Sequence, residues 1–173
     1  MPFLLALLGL ILAAAVWIWR IRVAKQALDD ISGIAGDVAA AARRLGFRRR
    51  ANVHPAQSIE EPELAVAALG VAFLDLASLP TSEQLASLKA AMQRHLSVSE
   101  IKADEMLIVG RWLVNECKTP QMAISRIGKR LASLDQTGFQ PLLAVLNEMI
   151  GPGAAMSPRQ REALDDISRI FRL

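Results

Sequence analysis

The chain has one cysteine, no tyrosine, and no charged side chain before Arg20. Each scarcity excludes something. A single thiol, Cys117, rules out an internal disulfide and fits a reducing compartment. Near a helix end it reads as a small buried hydrophobe rather than a reactive group. With aromatics at only 5%, a core has to be built from Leu, Ile, Val, Ala and Met, which is the composition of packed helices. No run alternates apolar and polar residues for long enough to make a strand. Dinucleotide, Walker, HExxH and GxSxG motifs are all missing.

What is present begins with an apolar run from Pro2 to Trp19. A bilayer core of about 30 Å needs roughly 20 helical residues, with about 17 as the lower limit. The run meets that limit and can continue through Ile21 and Val23, so residues 1–23 are expected to form a transmembrane anchor. Pro2 is harmless in a first helical turn. Trp17 and Trp19 fall where amphipathic rings favour the headgroup layer, and Arg20, Arg22 and Lys25 follow at once as membrane-interface cations. A cleaved signal peptide would need a basic start and small residues at its end, and the flanks are the reverse. Basic residues follow the run and none precedes it, so the C-terminal bulk is expected on the cytoplasmic side of a bacterial-type inner membrane.

The net charge of +3 and the pI near 9.5 conceal a split. Residues 1–50 carry +5 and residues 51–173 carry −2. Read alone, the pI suggests nucleic acid. The clustering next to a membrane segment points instead to anionic lipid, with no nucleic-acid partner. Over 24–50 a basic juxtamembrane helix is expected. Ala24, Leu28, Ile31, Ala35, Val38, Ala42 and Leu45 alternate steps of four and three, a heptad seam that can pair two chains into a homo-oligomer or lay one helix on the membrane or on its own domain. Arg43, Arg44, Arg48, Arg49 and Arg50 close it as a lipid-headgroup collar, at about 1 kcal/mol per basic residue near an anionic surface. Residues 51–61 lack any period and read as a linker.

Helix starts recur through 62–173. Pro62 opens a helix to Leu76. Thr81 with Gln84 makes a capping box before a helix to Leu96, and Ser97 with Glu100 repeats the pattern before a helix to Glu116. Thr119-Pro120, Thr137 with Gln140, and Ser157 with Gln160 open three more, ending near Leu134, Ile150 and Phe171. The expectation is an all-α fold, a compact bundle of about six helices behind the anchor.

Chemistry is sparse. His54 and His95 have no Cys or carboxylate beside them at a metal-ligand spacing, so no metal and no cofactor are expected. The pairs Asp29-Asp30 and Asp165-Asp166 lie about 100° apart around a helix and read as solvated faces. Gly151-Pro152-Gly153 lacks the Lys and Ser/Thr of a phosphate loop and reads as a turn. Glu100, Asp104, Arg111 and Glu116 lie roughly on one side of a helix and are the only catalytic candidates, though i,i+4 ion pairing explains them better. No enzymatic activity is expected.

The segment from Glu63 to Leu173 resembles the tellurite-resistance TerB-like domain, a compact helical fold also found in membrane-anchored DnaJ-like co-chaperones. The resemblance rests on the helix ELAVAALGVAFLDLA, the stretch TSEQLASLKAAM, and a later echo, LLAVLNEMIGPGAAMSPRQREALDDISRIF. In the family each unit carries Ala-Asp-Gly, then a capping Ser, then Glu, and those acidic residues are associated with metal ions. Here Ala77-Ser78, Thr81 and Gln84 occupy the first unit, and Gly153-Ala154, Ser157 and Gln160 the second. The frame and caps match while every carboxylate is missing, so the resemblance implies the fold and not the metal, which needs several oxygen ligands. Two functions follow: a membrane-tethered interaction module or accessory subunit of a membrane protein complex, docking that complex or a cytoplasmic protein; or a TerB-like stress protein sensing an ion or small ligand.

Overall fold

The computed structural model describes residues 36–151 and 155–172. The expected anchor over 1–23, residues 24–35 of the seam, and Pro152, Gly153 and Ala154 lie outside them. Among the described residues no helix is long and apolar enough to cross a membrane. The chain divides between Ala39 and Ala40, and the unit Ala40–Leu173 holds nearly all that is described.

Among the described residues the architecture is all-helical, without strands: α1 (residues 36–44), a 3-10 turn at Pro55–Ser58, α2 (Pro62–Asp75), α3 (Ser82–Leu96), α4 (Glu100–Glu116), α5 (Pro120–Leu134), α6 (Phe139–Ile150) and α7 (Pro158–Ile170). α2 is the axis. Pro62 starts it, where a missing N–H costs nothing, and every residue from Leu64 to Leu74 is buried. A helix apolar on all sides has to be surrounded. α4 and α5 pack most extensively along it, α3 and α6 pack on each other beside it, and α7 lies on α5. The α2–α4 approach is close because of Gly110: a Cβ there would sit 3.2 Å from Ala68 Cα. The core is Leu, Ile, Val, Ala and Met with few rings, including Phe73, Leu69, Met92, Met106, Leu113 and Leu131. Cys117 is buried at the end of α4, where burial pushes its thiol up from the ordinary range against the pull of Arg126.

Two starts differ from the sequence reading. α4 is capped by Ser99, whose hydroxyl accepts from Lys102 N–H at 3.2 Å, and Ser97 instead ends α3 at φ +55°. Only three residues join α3 to α4, so the first must turn left-handed and the last must cap. Thr137 does not cap α6 either. Its N–H and hydroxyl both donate to Asp135 Oδ1, at 2.8 and 2.7 Å, closing a turn that leaves Gly138 as an N-cap without a side chain. Those bonds hold the Asp135 carboxyl below its usual range.

The domain also begins earlier than 62. Ala41 is fully buried, and Ala42, Leu45 and Phe47 pack on the core. Phe47 meets Trp112 edge to face, with centroids 5.9 Å apart. The stretch 51–61, read as a linker for want of a period, buries Pro55, Ala56, Ser58 and Ile59. Its contacts come from other elements: Arg130 Nε donates to Ile59 O at 2.7 Å and Arg50 N–H donates to Ser58 Oγ at 3.1 Å.

Candidate functional site

Of the ten cations and rings expected at a membrane surface, Trp17, Trp19, Arg20, Arg22 and Lys25 lie outside the described residues. The other five are all exposed, and two of them reach a carboxylate of the domain. Arg44 reaches Glu105 of α4, one of few buried charged side chains, and their contact clasps α1 to the domain. Arg50 pairs with Glu60 at 2.6 Å. The collar is therefore only partly available to lipid. At least two of its arginines also serve the fold.

Arg50 has a second setting. It stands at the rim of an open cleft of about 480 Å³, together with His54, Arg126, Lys129, Arg130 and Ser133. The far wall is α5. Arg126, Lys129 and Arg130 follow i, i+3, i+4 spacing, so they share one face. No Asp or Glu occurs on α5, and none lines the cleft. Arg126 and Lys129 are exposed and have no ion pair among the described residues. Arg130 is half-buried and fixed by its bond to Ile59 O. His54 is held on both ring nitrogens: Nδ1 accepts from Ala56 N–H at 3.2 Å and Nε2 donates to Glu116 O at 3.1 Å. It caps the 3-10 turn and shapes the cleft mouth.

The α5 triad does not stand out as a site in the sequence. A signal was there, in a helix that carries three cations and no acid, but each residue alone resembles a solvated face. Convergence with Arg50 comes only from the fold.

The four catalytic candidates on α4 do not come together as a set. Glu100 and Asp104 both accept from Lys89 Nζ of α3, each at 2.9 Å. These bonds push the Lys89 ammonium pKa up. Arg111 lies instead near Asp75, whose carboxyl is pushed up by burial against the pull of that guanidinium. Glu116 lies at the opposite end of the helix from Glu100. Among the described residues no group of three or more His, Cys, Asp or Glu side chains could hold a metal ion. His95 has a carboxylate partner that only the fold supplies. With Arg94 it meets Glu148 of α6, its Nε2 lying 2.7 Å from the carboxylate.

Two of the four capping pairs expected from the sequence form complete boxes, Thr81 with Gln84 and Ser157 with Gln160. Gln160 does more than cap. It is buried, its Oε1 accepts from Ser157 N–H at 2.9 Å, and its Nε2 donates to Phe73 O at 3.0 Å. An ionised carboxylate could not make that last bond, so the amide joins α7 to the end of α2 where a glutamate would leave the Phe73 carbonyl unpaired.

Comparison with known proteins identifies no relative: no family model, no curated protein and no solved structure matches the chain.

Proposed function

We propose that the protein is a membrane-tethered helical interaction module, an accessory subunit that presents a cytoplasmic domain beside the inner membrane without catalysing a reaction. The observation that carries this reading is the clasp of the basic collar onto the domain. Arg44 on Glu105, Phe47 on Trp112 and Arg50 N–H on Ser58 make the collar part of the domain surface. In sequence this clasp lies C-terminal to the apolar run over 1–19 and the cations after it, with residues 26–43 between them. Its partners are anionic lipid and a membrane complex or cytoplasmic protein, with self-association through 24–45 as a further contact.

Affinity purification of the full chain from membranes in mild detergent tests the reading. A stable partner at fixed stoichiometry is expected. Recovery as a lone monomer, or recovery from the soluble fraction alone, contradicts it.

The TerB-like resemblance supports a second reading, a stress protein responding to an ion or small ligand. The paired capping boxes favour it as a fold, while Gln160 argues against metal at that position, since its amide is engaged with Phe73 O. Calorimetry of the full chain with divalent cations separates the two. Heat of binding supports the ion sensor, and silence removes it.

A further inference from the structure

We propose that the cleft between the collar and α5 is a receptor for a phosphate-bearing group, held by Arg50, Arg126, Lys129 and Arg130. Three features carry the inference. The first is convergence: four cations from two separate segments meet over one cleft whose lining contains no carboxylate. Like charges brought together repel, so the arrangement stabilises nothing by itself and favours an anion between them. The second is availability. Arg126 and Lys129 have no ion pair among the described residues, and Arg50 uses one guanidinium nitrogen on Glu60 and leaves others for a ligand. The third is rigidity. Arg130 is tied to Ile59 O, and His54 is tied on both nitrogens, so one wall and the mouth are set before any ligand arrives.

The size suits a headgroup or a small phosphate compound, since pockets for such ligands span roughly 300–1,000 Å³. Guanidinium forks match phosphate oxygens two at a time, and an ammonium adds a point charge. A nucleic acid fits less well. Strand-binding grooves stack bases on aromatic rings, and no Phe, Trp or Tyr lines this cleft, where the one ring, His54, is tied on both nitrogens. The net charge of −2 over residues 51–173 also opposes a long polyanion.

The phosphate group can arrive on an anionic lipid or free in solution, and one experiment distinguishes the two. The full chain is treated with an amine-acetylating reagent, and the rates at Lys129 and at Lys118, which is exposed and outside the cleft, are read by mass spectrometry. The probes are inorganic phosphate with the protein in non-ionic detergent, and vesicles of phosphatidylcholine with or without phosphatidylglycerol. At a probe concentration of roughly ten times Kd, about one site in ten stays open, so Lys129 should slow about tenfold while Lys118 does not. Slowing by inorganic phosphate supports recognition of the free group. Slowing only on phosphatidylglycerol vesicles supports a headgroup site. Arg126→Glu, an exposed change, should abolish the protection, and Arg50→Gln on the other wall should weaken it. No selective slowing with either probe overturns the proposal, as does protection undiminished in Arg126→Glu. The vesicle arm rests on the tethered reading, but the phosphate arm does not, so failure of the site and failure of the tether are told apart.

Discussion

Two basic regions of this domain are built on opposite plans. At the α3–α4 corner, one lysine serves two carboxylates: Lys89 is held by Glu100 and Asp104, and its side chain is only 23% exposed. Along α5, two exposed cations, Arg126 and Lys129, stand without an ion pair among the described residues, and a third bonds only a backbone carbonyl. A cation with its counter-charges in place is explained by the fold. A set of cations left facing one another is not, because it opposes folding slightly and is justified only by something outside the chain. Composition cannot make this distinction, since a Lys or Arg looks the same in both settings.

The strongest way to sharpen the contrast is to attack a fully paired charge. Arg44→Ala leaves Glu105 buried and unpartnered and should cost about 1–3 kcal/mol, whereas Glu105→Gln should cost less because Arg44 can turn to water. Urea titration of the two variants checks that order, and equal losses would mean the clasp is incidental. A smaller effect is expected at Lys89. Lys89→Gln should lower Tm modestly, and added salt should shrink the difference from the parent chain, since surface pairs are screened.

Smaller still is a pH effect at the α3–α6 contact. Burial alone would raise the Glu148 carboxyl, but hydrogen bonds from His95 and Arg94 outweigh it and hold the group below the usual glutamate value of 4.5. The charged form is thus favoured in the folded chain. Its contribution is present above the unfolded value and is lost as pH falls through the folded one. Tm should therefore drop more steeply below about pH 4.5 in the parent chain than in Glu148→Gln. Parallel acid limbs would show that this contact does not couple to stability.

Much of the fold was legible because it is written locally. Pro62, Thr81 with Gln84, Thr119-Pro120 and Ser157 with Gln160 each open a helix where the sequence places one. The misses have a common cause. The spacing marks Ser97 as a cap where Ser99 supplies it, and Thr137 as a cap where it closes a turn on Asp135, because the spacing of a capping pair does not encode the direction of the incoming chain. Residues 51–61 look like a linker because the 3-10 turn that buries Ala56 packs on α5, and Ile59 O is bonded by Arg130 about seventy positions later. The cleft was illegible for the same reason. The collar arginines were visible as a cluster, but three of the four cations now assigned to the cleft lie on α5 and meet Arg50 only through the fold.

The central claim, that Arg126 and Lys129 of α5 are surplus to the fold while the α3–α4 lysine belongs to it, is tested most directly by thermal melts of two neutralised variants side by side. With the full chain in mild detergent and no anionic additive, Lys89→Gln should lower Tm, and the double change Arg126→Gln with Lys129→Gln should leave Tm unchanged or slightly raised as repulsion is relieved. A loss from the α5 double variant equal to or greater than that from Lys89→Gln would contradict the claim.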